Sequence, residues 1–530
     1  MADAVYDAII IGGGHNGLVL GLYLQKAGME TFIVERNQEM GGGLCGDEVP
    51  LPGFLTNTCA TNVRFYIPPA YEDFNLYDYG IHHIFTENGA GMIFDDETCL
   101  VTYPLYSVAD SKTGELKPHP ENREKTLKEI SRFSERDAET AANLIERYER
   151  KWHKAYMKYM FTPPPPPGVK NALEELLDDP DWGFDPGWPQ MSSVELAHEW
   201  FESDAMRSYF MAGNQTSTGN WPGDPLGMFC LVHAPAVIFS AVPPSLINGG
   251  SHTVSHVLVR AFEDIGGKFS VEKEVEKVIV ENGEAKGVEL SDGTVIKARK
   301  LVASNVDVLQ SMFRFLGDHH ISPELSESVR KFRYDRMCVF WGSMALHELP
   351  DYRAAGFNPD CNFMPRTLVG PKDPEHYLLI QEECFKHGIN SKLKWWSAPD
   401  TLWDKTRAPA GKHLVQLEIY TSPADRFSER EWILLKKKMA DKLIEEWPAY
   451  APNMTRDNVI DIYLDSPLDS SYRNINMVNG SVGLGSLLPS QEDRTRPCSE
   501  LSNYRTPIKN YYLCGNSCHV GGGVRVAEDF

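Results

Sequence analysis

Close to its start the chain reads AIIIGGGHNGLVLGLYLQKAG and then TFIVER: an apolar run, a glycine turn, a helical stretch and a second apolar run. That order predicts a strand, a tight turn, a helix and a parallel strand, and few folds can follow from it. Gly12, Gly14 and Gly17 fall in the turn with the spacing G-x-G-x-x-G, with His15 and Asn16 between the last two. Gly12 permits the tight turn, Gly14 lets the backbone approach a ligand, and Gly17 lets the helix pack closely on the strand. The helix N-terminus offers partial positive charge to a diphosphate. Glu35 ends the second strand, 18 residues after Gly17, where a carboxylate accepts hydrogen bonds from ribose hydroxyls; Arg36 follows it. Strand, turn, helix, strand and acid in register predict a dinucleotide site.

A second glycine cluster, Gly41, Gly42 and Gly43, follows and leads to Pro52-Gly53-Phe54. Bare amides there would suit a cofactor longer than one mononucleotide, but a surface turn explains the cluster equally well, so this segment alone leaves NAD and FAD open. The far end of the chain shifts the balance. YYLCGNSCHVGGGV, from Tyr511 to Val524, reads as a buried strand opening through Gly515 and Asn516 into a polar turn with Gly521, Gly522 and Gly523. A strand entering a glycine turn so late predicts a return to the first sheet. Amides near those glycines would face the edge of a flavin that gains negative charge on reduction.

These stretches together resemble the terminal signatures of the phytoene desaturase and phytoene dehydrogenase-related (retinol saturase-like) flavoproteins. SRFSERDA from Ser131, FESDAMRS from Phe201 and INGGSHTVSHVLVRAFEDIGGKF from Ile247 resemble the same family, so the similarity spans nearly the whole chain. The resemblance implies an α/β protein with a glutathione-reductase-type (GR2) Rossmann-like FAD-binding domain in pieces, residues 1–64, 241–314 and 491–530. A discontinuous α+β substrate-binding domain would take 65–240 and 315–490. It implies FAD held by Gly12, Gly14, His15, Asn16, Gly17, Glu35, Arg36, Gly42, Gly43, Gly515, Asn516, Gly522, Gly523 and Val524, with the Val275 backbone at the adenine. VEKVIVENGEAKGVEL independently reads as a β-meander with a turn at Asn282-Gly283. Val520 departs from the family pattern, which often has proline after the histidine.

Composition excludes several other classes. With 52 Lys and Arg against 74 Asp and Glu, the formal charge of −22 opposes nucleic acid binding over most of the surface. Hydrophobic residues at 42% and charged residues at 24% match a folded, water-soluble protein. Ten scattered cysteines and no leader-like start point to a reduced, cytoplasmic chain, and Cys514, Cys518 and His519 lack a second ligand pair for metal. Residues 227–244 are apolar but interrupted by prolines, so no membrane span is predicted, while the resemblance leaves peripheral membrane contact open. Residues 122–160 predict a long amphipathic helix broken once, and Pro163 to Pro167 a stiff connector.

The expected substrate is a hydrophobic small molecule, because the two intervening lobes hold most of the aromatic residues, among them Trp152, Tyr156, Tyr159, Phe161, Trp395 and Trp396. For any one of these rings, ordinary core packing is the simpler explanation. No triad, metal quartet or P-loop competes for the chemistry, which leaves it to the flavin. His519, Arg64, Tyr66 and His233 are the candidate catalytic residues. Three activities fit: transfer of hydride from a CH–CH bond to flavin (or isomerisation of a double bond), flavin amine oxidation on the same fold, and non-catalytic lipid escort. The intact glycine motifs and Glu35 argue against the last.

Overall fold

The computed structural model describes residues 4–61, 63–336 and 338–522. Its first sheet runs in the order Lys268–Ser270, Thr31–Val34, Ala4–Ile11, Val295–Ser304, Glu284–Leu290, Val275–Glu281. Ala4–Ile11 pairs in parallel with Thr31–Val34 on one side and Val295–Ser304 on the other, with Ile9 opposite both Phe32 and Val302. Ala8, Ile9, Ile10 and Ile11 are all buried, as a strand covered on both faces requires. Tyr511–Leu513 returns to this sheet and pairs in parallel with Val302 to Ser304. The meander turns through Asn282 (φ 52°) and Gly283 (φ 77°), the paired positive dihedrals of a two-residue hairpin turn.

Helix His15–Lys26 buries Leu18, Val19, Leu20 and Leu22 on the sheet. A β-carbon at Gly21 would come within 3.0 Å of the Phe262 ring, so glycine there lets helix His252–Asp264 lie against it.

The second sheet has the order Val459–Asp465, Cys338–Leu346, His413–Thr421, Trp395–Ala398, Arg366–Gly370, Ala90–Phe94, Cys99–Val101. Its strands come from two stretches far apart in sequence. All nine residues of Cys338–Leu346 are buried, which places cover on both of its faces. Helix Glu429–Glu446 supplies one cover, burying Trp432, Leu435, Met439 and Leu443, with Trp432 edge-on to Phe340 at 5.7 Å. The other face carries Val339 and Trp341 and looks towards the helical layer.

The helical layer contains the predicted amphipathic segment. It forms helices Pro120–Ser131 and Glu135–Arg147, the latter continuing through a π-type turn at Tyr148–Trp152 into His153–Met160. The single interruption lies at Arg132 to Ser134, where the Ser134 hydroxyl accepts the Asp137 amide at 3.1 Å and caps the second helix. The apolar segment makes a 12-residue helix, Gly227–Ile238. Among the described residues no helix is long and apolar enough to cross a membrane.

Candidate functional site

A trench lies at the C-terminal ends of the parallel strands, where open α/β sheets place their ligands. It is lined by Gly14, His15, Asn16, Gly42, Gly43 and Asn516 towards one end, and by Gly12, Glu35, Arg36 and Val275 towards the other. Gly12 has φ +94°, open to glycine at little cost. Gly14 and Gly42 face each other so closely that a β-carbon on Gly42 would lie 3.2 Å from the Gly14 Cα. No acidic residue occupies the first turn of helix His15–Lys26, and no side chain caps its N-terminus. Its dipole and amides are therefore turned to the trench.

Glu35 is fixed by two backbone donors, the Gly13 amide at 2.7 Å and the Asn37 amide at 2.8 Å. Burial raises its pKa, and these amides pull it back towards the ionised form. A carboxylate has four lone-pair directions, so two remain for ribose hydroxyls. The Asn16 amide nitrogen donates to Asn516 Oδ1 at 2.9 Å, tying the first glycine turn to the last across the whole chain. The Asn16 carbonyl oxygen is buried without a partner among the described residues. Bare amides and an uncapped helix end fit a dinucleotide diphosphate.

Gly17 and Gly515 act through packing rather than by lining the trench. A β-carbon on Gly17 would sit 2.4 Å from the Gly12 carbonyl oxygen, and one on Gly515 2.5 Å from Asn305 Oδ1. Several trench residues carry no sequence motif. Asn305, directly after strand Val295–Ser304, donates to the Gly12 carbonyl at 3.2 Å, and its own carbonyl accepts from Asn476 at 3.2 Å. Asn474 and Asn476 also line the trench, although the sequence places them in the substrate lobe.

Arg496 is the hidden support of the C-terminal turn. Its side chain is fully buried and donates to the carbonyls of Gly485 (3.3 Å), Ser486 (2.9 Å), Gln491 (3.4 Å), Asn516 (2.6 Å) and Cys518 (3.0 Å). Burial lowers its pKa to about 10. A β-carbon on Gly521 (φ +78°) would fall 2.3 Å from the guanidinium carbon, so glycine is required there by Arg496 itself.

A second space, a cavity of about 560 Å³, lies between the helical layer and the second sheet. Its walls include Tyr66, Tyr156, Met160, Phe161, Val237 and Trp341, and it reaches Gly522 at the C-terminal turn. It also reaches Ala60, whose amide donates to the Gly43 carbonyl of the trench at 3.1 Å. Trench and cavity thus lie next to each other, and the volume is in the range that encloses a small organic ligand.

Three of the four candidate catalytic residues line this cavity. The Tyr66 hydroxyl donates to the Pro243 carbonyl at 2.8 Å, and Arg64 Nε approaches the same oxygen at 3.4 Å. His233 Nδ1 lies 2.8 Å from the Tyr156 hydroxyl and its ring stacks on Phe229 at 5.7 Å. His519 lies elsewhere: it is 1% exposed, with Nε2 at 2.9 Å from the Tyr159 carbonyl and the ring edge-on to Tyr159. Burial lowers its pKa to about 4, so it is neutral at pH 7. His519 does not line the cavity. Gly523 and Val524 lie outside the described residues.

No family model matches the chain. It is 24% identical to one of the subunits of the limonene dehydrogenase of Castellaniella defragrans, over 97% of this chain and 91% of that one. It is 25% identical to the rat pyridine nucleotide-disulfide oxidoreductase domain-containing protein 2, over 98% and 91%. With a lycopene-forming phytoene desaturase of Paracoccus it shares 22% identity over 99% and 95%. Among solved structures, an oxidoreductase from Methanosarcina mazei matches at TM-score 0.59 and 14% identity, over 98% of this chain and 97% of that one. A putrescine oxidase variant matches at TM-score 0.57 and 12% identity, over 97% and 93%. Both structures share the Rossmann-like flavoprotein fold found here. With a glycine-lined trench beside a large cavity and relatives along the full length, this chain is similar to the phytoene desaturase-like flavin-dependent oxidoreductases.

Proposed function

We propose that the trench holds FAD and that the protein takes hydride from a CH–CH bond of a hydrophobic, isoprenoid-like or cyclic molecule, or shifts its double bond. The observation that carries this reading is the neighbouring cavity, walled mainly by aromatic and aliphatic side chains and reaching Gly522 of the C-terminal turn and Ala60, which is hydrogen-bonded to Gly43 of the trench. We assign residues 1–64, 241–314 and 491–530 to the cofactor and 65–240 and 315–490 to the substrate, with Asn474 to Asn476 reaching across to the trench.

Bound FAD would supply the two-electron acceptor. Glu35 would hold the ribose, the amides around Gly14, His15 and Asn16 the diphosphate, and the Asn516 segment the flavin end. The cavity side chains exclude water and align the substrate carbon, which accounts for much of what a protein adds to a hydride transfer. Tyr66 and Arg64, both directed to the Pro243 carbonyl, fix the wall opposite the second sheet. His233 and the Tyr156 hydroxyl share a hydrogen bond at the cavity wall and can hold a proton there.

Anaerobic incubation with isoprenoids, cyclic ketones and secondary amines tests the reaction class. Bleaching of the flavin together with a new or shifted C=C bond in an isoprenoid or ketone is expected. Imines or aldehydes from amines, with no change in any C=C bond, would replace this reading with amine oxidation.

A further inference from the structure

The floor of the cavity is not uniformly apolar. Glu418, on the interior strand His413–Thr421, lines it together with Arg366, Thr61 and Thr216. Glu418 is 8% exposed and lies between two indoles in the sheet, opposite Trp341 on one neighbouring strand and Trp396 on the other. Leu368 is also opposite Trp396, so Arg366, two residues before it, projects from the same face. The Arg366 guanidinium lies 5.6 Å from the Trp396 ring centroid.

Apart from this Arg366–Trp396 contact, packing gives no reason for these two residues. Glu418 caps no helix, and among the described residues it forms no direct ion pair with Arg366. Burial pushes its carboxyl up to about 7, with Arg366 and the Thr61 hydroxyl favouring the charged form. A pure hydrocarbon filling the cavity would strip water from both groups and return nothing. A carboxylate ligand would meet Glu418, and an ammonium would meet Arg366. The pair is close to neutral in sum, with donors on one member and an acceptor on the other. A ligand oxygen without formal charge can answer both.

We propose that Glu418 and Arg366 form a polar subsite for a carbonyl or hydroxyl oxygen on an otherwise apolar substrate, an inference that rests on reading the cavity as the substrate site. Arg366 donates to that oxygen, and Glu418 accepts from a hydroxyl or, when protonated, donates to a carbonyl.

Limonene and carvone share one skeleton and differ by a ketone, and both can be titrated against the purified protein through its tryptophan fluorescence, Trp341 being in the cavity wall. Carvone is the more water-soluble, so an apolar cavity would favour limonene. The native protein is expected to bind carvone the tighter, and Arg366→Met to weaken carvone by about tenfold while limonene changes by less than about threefold. Arg366→Lys, which keeps the charge but not the planar fork, is expected to lose part of the preference and serves if the methionine variant does not fold. Equal or tighter binding of limonene by the native protein, or a carvone preference unaltered in the variants, would overturn the subsite and leave the cavity assignment standing. Binding of neither compound would overturn both.

Discussion

Replacing Gly17 with alanine is expected to leave a folded protein that has lost most of its flavin. The added β-carbon would stand 2.4 Å from the Gly12 carbonyl oxygen and 2.8 Å from Asn305 Nδ2. The first of these is backbone in the turn proposed to approach the cofactor, so relief can come only by moving that turn or lifting the helix. Overpacking of this kind costs about 1–3 kcal/mol. Because the displaced atoms belong to the proposed cradle, the larger effect is expected on cofactor affinity, with a loss of about a hundredfold, roughly 2.7 kcal/mol. Gly356→Ala is the control, since its β-carbon would meet nothing within 4 Å and its backbone carries no positive φ. Apoprotein titrated with FAD, alongside urea unfolding, separates the two effects. Undiminished affinity in Gly17→Ala would show that the first turn does not hold the cofactor.

Arg496→Met should produce the larger loss of stability. It removes the guanidinium from the buried carbonyls of Ser486, Asn516 and Cys518, each within 3.0 Å of it, although Ser486 keeps the Gln491 Nε2 donor at 2.9 Å. Each buried acceptor left unsatisfied costs about 1–3 kcal/mol, partly offset because a buried charge no longer has to be desolvated. A net loss on the order of 3–5 kcal/mol is expected, read as a lower urea midpoint. Flavin content should fall with it, because the released segment, Asn516 to Gly522, joins the trench to the cavity. Arg496→Lys can satisfy fewer of the carbonyls and should fall between. Native-like stability in Arg496→Met would mean that the turn is held by other contacts.

The difference between Gly17 and Arg496 marks how far the sequence can be read. The first βαβ unit is local: turn, helix end and acid lie within one short stretch, and each residue type has a single steric or electrostatic reason to be there. The Asn282-Gly283 hairpin is legible for the same reason, and the return of Tyr511–Leu513 to the sheet follows from its apolar run and glycine turn. Arg496 sits in a stretch with no periodicity, and its function exists only once residues 485–491 and 516–518 fold around it. Asn474 and Asn476 reach the trench from a segment that reads as part of the other lobe.

The cavity proposed for the substrate is the least legible part. Arg64, Tyr66 and His233 stand out in the sequence as polar residues in suggestive positions, and the fold brings them to one cavity. His519 stands out on the same grounds and is enclosed against Tyr159 instead, because sequence proximity to a glycine turn does not fix the direction of a side chain. Glu418 and Arg366 stand two strands apart in a sheet whose register no local pattern announces. Asn305 is open to inference: a polar residue directly after a buried parallel strand lies where such sheets bind ligands.

Whether the two glycine turns, at opposite ends of the chain, close on one flavin is tested most directly by the visible spectrum of the purified protein. Release of the chromophore with acid or heat and its identification by chromatography complete the measurement. A yellow protein that yields non-covalent FAD at about one per chain is expected for a single trench. A colourless protein that FAD cannot reconstitute would contradict it.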